Sequence, residues 1–393
     1  MRVLYCTDTY PPQVNGVSVV TALSVAGLSR LGWECAVVAP RYPETIRTTW
    51  KEDESSSFTP VNMLDLPSVP LPGYSEVRLA MPTLAPVHRL VERFQPNLIH
   101  CATEFSVGRM GQMAAARAGL PLVSSYHTDF SRYADAYRKS WLRNTVSAYL
   151  KRFHKRSSRV FTPSSAARDD LLRLELSDVE VWGRGVDAQL FNPRRRSASL
   201  RRQLGLGDRF TFLYVGRLAP EKRPEQVIDA FRLACGMMPA DSMRLIMAGT
   251  GPLERELPAI APAGVSFMGF LDRRTSLPDL YASCDAFVFA SVTETLGLVI
   301  LEAMSSGLPV IAAPAGGVAD HLRDGYNGMV FPAGSAFAMA NAMARLAWDK
   351  NLSGRLAVGA RRTAEALSWD RELERLDRSY REVCGAAATP AAA

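Results

Sequence analysis

The sequence predicts two α/β domains, each a parallel sheet covered on both faces by helices. Three observations carry this expectation. Short apolar runs of strand type alternate with helical stretches along the 393 residues, the pattern of parallel sheets built from crossover units. The alternation restarts at Phe210, after a polar, basic stretch from Asn192 to Arg202. Glycines and charged residues gather just after the strand runs, and open α/β sheets bind their ligands at those carboxyl ends.

In the first half a strand is expected at residues 2–6. A loop through Asn15 and Gly16 follows, then a helix at 17–31 stopped by Gly32, and a second strand at 35–39. Further strands are expected at 98–101, 122–126, 160–162 and 179–182. In the second half they fall at 210–215, 245–248, 265–268, 286–289 and 310–312. The expected organisation is a first domain over 1–190, a linker over 191–205 and a second domain over 206–366. A C-terminal helix at 367–385 should return to the first domain, and the tail 386–393, AAATPAAA, should be disordered because it has nothing to bury.

Composition narrows the function. An apolar fraction of 47% and a charged fraction of 22% suit a soluble globular protein. No N-terminal signal is visible, since MRVLYCTDTYPP reaches Asp8 and a proline pair too soon, and no apolar run reaches the roughly 18–20 residues of a membrane-spanning helix. The six cysteines are scattered, with no CxxC pair, so reduced thiols in a cytoplasmic protein are expected rather than zinc ligands or disulfides.

The net charge of +7 has a local source. Residues 132–156 hold eight cations against the single acid Asp135, interleaved with Tyr133, Tyr137, Trp141, Tyr149 and Phe153. No nucleic-acid module is present. A basic, aromatic helix suits anionic lipid headgroups, each nearby cation contributing roughly 1 kcal/mol. An ordinary solvated helix with its aromatics in the core is the alternative. The proline-punctuated segment 66–83, with Tyr74 within it, is a candidate acceptor groove or else a buried irregular connection.

Two segments carry chemistry. SVTETLGLVILEAMSS, from Ser291 to Ser306, follows a strand and should run loop-to-helix, with Glu294 on the loop and Glu302 on the helix. A helix start offers unpaired N–H groups and partial positive charge to a phosphate, whereas carboxylates beside it accept hydrogen bonds from sugar or ribose hydroxyls. FTFLYVGRLAPEKRPE, residues 210–225, places Arg217 and Lys222 between a strand end and a helix opened by Pro224, where they can neutralise a diphosphate. The first turn lacks GxGxxG and reads DTYPPQVNGVS, which argues against a nicotinamide dehydrogenase. His127, at the end of the 122–126 strand, could donate to a sugar hydroxyl or serve only structure.

GRLAPEK and TETLGLVILEAM, with TDTYPPQVNGVS, SSYHTDF and WGRGVD in order before them, resemble the retaining glycosyltransferases of family 4, which have the GT-B fold of two Rossmann-like domains facing a deep cleft. The likeness is greatest to bacterial GDP-mannose-dependent mannosyltransferases and sulfoquinovosyl diacylglycerol synthases. It implies a hexosyltransferase using a nucleotide-diphosphate sugar, best matched by GDP-mannose, on a lipid or lipid-linked acceptor at the inner face of the membrane. UDP-sugars, a soluble polysaccharide acceptor, an epimerase and a silent membrane-binding protein stay open. By resemblance, Arg217, Lys222 and Arg184 serve the diphosphate, Gly16 approaches it, and Gly297, Leu298 and Val299 hold the distal phosphate. Glu294 takes the transferred sugar, followed in the motif by Thr295 and Leu296 where many members have an aromatic. Glu302 takes the ribose, and Phe267, Met268, Gly269 and Phe270 line the base. His127 lies at the reacting sugar, and Asn15, Asp129 and Tyr74 are acceptor-side candidates. No carboxylate is placed as a nucleophile and no DxD-like pair is located, so front-face displacement without metal or cofactor is expected.

Overall fold

A computed structural model describes residues 1–13, 15–43, 62–71, 74–127, 143–183 and 185–388. Arg184, Asp129 and the basic residues before Arg143 lie outside these, as does the tail from residue 389. The described chain forms two compact units, residues 1–183 with 370–388 and residues 185–369.

The first unit carries strands β1 (Arg2–Cys6), β2 (Glu34–Pro40), β3 (Asn62–Leu66), β4 (Ser68–Leu71), β5 (Tyr74–Ala80), β6 (Leu98–Cys101), β7 (Leu122–Ser125), β8 (Arg159–Thr162) and β9 (Val179–Val181). Seven form one sheet in the order β3-β2-β1-β6-β7-β8-β9, with parallel pairing throughout. β4 and β5 form a separate antiparallel pair. Val3 to Cys6 and residues 35–40 are buried without alternation, because helices cover both faces. The helix Gly16–Arg30 is capped by Asn15, whose Oδ1 accepts from the Ser18 N–H at 2.9 Å.

The C-terminal helix Trp369–Ala388 packs in this unit through a buried polar chain. The Tyr380 hydroxyl bonds to the Tyr5 hydroxyl at 2.7 Å and to His100 Nδ1, and His100 Nε2 bonds to Ser125 Oγ at 2.7 Å. Trp33 Nε1 donates to Asp377 at 2.6 Å and Trp182 Nε1 to the Glu372 carbonyl at 2.7 Å. Gly27 leaves room for Leu373, whose Cδ1 would lie 2.2 Å from any added Cβ.

The second unit carries β10 (Phe210–Val215), β11 (Met243–Ala248), β12 (Val265–Gly269), β13 (Ala286–Phe289), β14 (Val310–Ala312) and β15 (Gly328–Val330). These form a parallel sheet ordered β12-β11-β10-β13-β14-β15. Residues expected as a linker are part of this unit: Pro193–Arg195 is a 3₁₀ turn and Ala198–Gln203 a helix. Arg195 pairs with Asp279 and Arg196 with Asp285, each at 2.7 Å, so the basic residues that read as a solvated connection instead bind carboxylates of the domain. The change of unit falls next to residue 184, not at 190.

Candidate active site

Strand order in the second sheet reverses direction between β10 and β13, the edge at which open α/β sheets leave a crevice. The loops after these two strands carry most of the expected donor residues. Lys222 Nζ donates to Glu294 Oε1, and both side chains are 15% exposed. Ser291 Oγ donates to the Glu221 carbonyl at 3.3 Å, joining the same two loops. The Tyr214 hydroxyl donates to the Arg217 carbonyl at 3.1 Å and fixes the turn on which Arg217 lies half-buried.

Each loop is gripped from behind by glycines of the next strand outward. A Cβ on Gly249 would fall 2.0 Å from the Gly216 carbonyl oxygen, and one on Gly251 2.4 Å from that of Leu218. On the other side, a Cβ on Gly316 would fall 2.2 Å from the Glu294 carbonyl oxygen, and one on Gly317 2.2 Å from that of Thr295. The Gly317 N–H donates to the Glu294 carbonyl at 2.8 Å. Sequence reading missed these four glycines, although AGTG after β11 and AGG after β14 were visible signals.

Gly297 adopts a left-handed φ of 73° and caps the helix Leu298–Ser305. The first rung of that helix runs from the Ile300 N–H to the Gly297 carbonyl at 2.9 Å, so the Leu298 and Val299 N–H groups precede the ladder. Thr295 and Leu296 lie on the loop just before, Leu296 buried. Glu302, on the second turn, is 3% exposed rather than on a solvated face. It accepts from Arg273 Nε at 2.7 Å and from the Tyr281 hydroxyl at 3.3 Å. Burial pushes its carboxyl above the usual carboxylate range, and Arg273 opposes that shift. The segment expected against a base ends β12: Phe267, Met268 and Gly269 are partly covered, while Phe270 is 57% exposed.

The first sheet reverses direction between β1 and β6. Asp8, after β1, spans this edge: its Oδ1 accepts from Ser106 Oγ and the Val107 N–H, both at 2.9 Å, and its Oδ2 from Thr103 Oγ1 at 2.6 Å. Asn15 Nδ2 donates to Thr9 Oγ1 at 2.7 Å, so both ends of this acceptor-side candidate are engaged within its own loop, and Gly16 opens the helix behind it. His127 follows β7 half-buried, and burial, with His154 a smaller cause, pushes its pKa down to about 4. His154 Nε2 lies 3.5 Å from Glu104 Oε1 in a buried pair absent from the sequence reading, while His154 Nδ1 bonds to Ser124 Oγ at 2.9 Å. The described part of the basic stretch is the helix Arg143–His154 and the turn after it, with Leu150 and Phe153 in the core and Tyr149, Arg152 and Lys155 exposed. Tyr74 opens β5, so the segment read as irregular contains a strand pair.

Two family profiles match the chain, "Glycosyltransferase Family 4" over residues 14–190 and "Glycosyl transferases group 1" over residues 209–349. A GDP-mannose-dependent alpha-mannosyltransferase of Mycobacterium tuberculosis is 32% identical, over 100% of this chain and 99% of the relative. An alpha-monoglucosyldiacylglycerol synthase of Streptococcus pneumoniae is 30% identical, over 79% of this chain and 71% of that one. Among solved structures, Anabaena HepE in complex with UDP-glucose superposes with a TM-score of 0.77 at 23% identity, covering 97% of this chain and 100% of HepE. The fold is that of the GT-B glycosyltransferases.

Proposed function

This chain belongs to glycosyltransferase family 4 and is a hexosyltransferase, and from that premise we propose that it moves mannose from GDP-mannose to a lipid or lipid-linked acceptor, retaining the anomeric configuration. One observation carries the site: Lys222 and Glu294 meet at the reversal point of the second sheet, a cation for a diphosphate beside a carboxylate for sugar hydroxyls. The full-length likeness to a GDP-mannose-dependent enzyme favours the donor, and the likeness to a diacylglycerol-modifying synthase favours the lipid acceptor.

In the proposed reaction Lys222 and Arg217 neutralise the diphosphate, and the Leu298 and Val299 N–H groups receive its distal phosphate. Glu294 accepts hydrogen bonds from the transferred sugar and Glu302 from the ribose diol. His127, kept neutral by burial, donates to the sugar rather than presenting a charge. Arg184 and Asp129 keep their roles at the leaving phosphate and the acceptor. The bond from the anomeric carbon to the phosphate oxygen breaks as the acceptor hydroxyl oxygen bonds to that carbon on the same face. The hydroxyl proton ends on the departing phosphate. Fixed cations stabilise the growing charge, the kind of preorganised term that dominates many enzymes, so activity should survive chelation of divalent ions.

Purified protein is offered GDP-mannose or UDP-glucose with vesicles containing diacylglycerol or phosphatidylinositol, and separately with soluble oligosaccharides. Mannosylated lipid is the expected product. Transfer to soluble sugars with none to lipid would overturn the acceptor; faster turnover of UDP-glucose would overturn the donor.

A further inference from the structure

Glu302 has a partner that neither the sequence pattern nor the expected donor contacts include. Arg273 lies in the loop after β12, three residues beyond the segment expected to meet the base, yet its guanidinium reaches the helix after β13. Both Nε and a terminal nitrogen stand 2.7 Å from Glu302 Oε1. The backbone on either side of Arg273 is pinned. Asp272 Oδ1 accepts from the Arg274 N–H at 2.9 Å and from the Thr275 N–H and hydroxyl at 2.8 Å, and the Asp272 carbonyl accepts from the Leu277 N–H at 2.9 Å. The guanidinium carbon lies over the buried Phe191 ring, 5.1 Å from its centroid. An arginine with its backbone tied, its cation over an aromatic face and two nitrogens near one oxygen is preorganised for a single task.

We infer that Arg273 is a positioning residue for nucleotide recognition: it orients Glu302 and keeps it a carboxylate, tying the base-side loop to recognition of the ribose diol. This rests on the reading of Glu302 as the ribose-binding group. Arg273 occupies Oε1, and the long 3.3 Å bond from Tyr281 leaves Oε2 with lone pairs for hydroxyls. Tyr281 shares its one proton between Glu302 Oε2 and the Val299 carbonyl, 3.2 Å away, so the acid is registered against the helix start expected to take the phosphate. Arg273 and Tyr281 are the charged and titratable groups set against Glu302 among the described residues. Without Arg273, burial is opposed only by the weak Tyr281 hydrogen bond and raises the carboxyl's pKa further. A protonated acid has lost an acceptor site, so discrimination of the diol then depends on pH.

Calorimetry on the full chain measures GDP and UDP against their 2′-deoxy counterparts at pH 6 and pH 8.5, using whichever pair binds the parent more tightly. The parent should prefer the ribonucleotide about tenfold or more at both values, the range of a hydrogen bond to a charged group. Arg273→Met should lose most of that preference at pH 6 and recover part of it at pH 8.5. Glu302→Ala should lose it at both. If Glu302→Ala discriminates as the parent does, the ribose reading falls. If Glu302→Ala loses discrimination while Arg273→Met keeps it at both pH values, the ribose reading stands and the role of Arg273 falls. Melting curves check the fold of each variant. Should Arg273→Met not fold, Arg273→Lys carries the test: a charge without the fork should lower the preference about threefold or more at both pH values, and parental preference would overturn the inference.

Discussion

Lys222 and Glu294 pair with each other, and that pairing fixes both side chains where the proposed donor would meet them. Lys222→Ala should lower kcat by roughly 10²–10³, the scale for removing one group that stabilises developing negative charge. Steady-state turnover at saturating donor decides this, and a parental kcat would remove Lys222 from the reaction. In the first unit, burial pushes His100 down to about 3 and His127 down to about 4. In the unfolded chain both titrate near 6.5, so acid favours unfolding: their contribution is complete above about pH 6.5 and is lost as pH falls toward 4. His100 alone should cost on the order of 1 kcal/mol per pH unit below 6.5. Tm measured at pH 7.5 and 5.5 should drop in the parent. His100→Gln should melt lower at pH 7.5 and fall less between the two; parallel pH profiles would show that His100 is not the titrating group.

At the scale of elements, the loops are held by close backbone contact as well as by side chains. Gly317→Ala puts a methyl group 2.2 Å from the Thr295 carbonyl oxygen, and Gly251→Ala puts one 2.4 Å from that of Leu218. Each should destabilise by about 1–3 kcal/mol and shift the loop behind Glu294 or Arg217 respectively, weakening nucleotide binding. Thermal unfolding with and without GDP reads both effects, and an unshifted Tm with parental binding would show that the loops yield freely. Buried strands were legible in the sequence because a strand covered on both faces must be an unbroken apolar run, as in FTFLYV and AFVF. β3, β4, β5 and β15 were not. NMLDL is an edge strand with mixed burial, β4 and β5 carry or adjoin prolines, and GMV is too short to show a period. Lys222 and Glu294 could be read from strand ends. The Arg273–Glu302 and Glu104–His154 pairs could not, because nothing local in the chain announces partners 29 and 50 residues apart.

For the whole molecule, the charge balance of +7 and the exposed face of the helix Arg143–His154 bear on membrane attachment. No described helix is long and apolar enough to cross a bilayer. Arg152, Lys155 and Arg156 are exposed beside Tyr149, so salt-sensitive flotation with anionic vesicles is expected, and Arg152→Glu with Lys155→Glu should abolish it at about 0.1 M salt, where the screening length is about 10 Å. Equal flotation of parent and variant would place the attraction elsewhere on the chain.

The first unit closes with a helix that lies far along the chain from the rest of it. Residues 185–369 are an insertion between Gly183 and that helix, and Tyr380 completes a hydrogen-bonded chain begun at Tyr5. The inserted unit is therefore synthesised whole before its elder neighbour receives its last piece. A chain truncated after residue 369 should still protect the later-made unit from protease and leave Tyr5 and His100 without the hydroxyl that joins them.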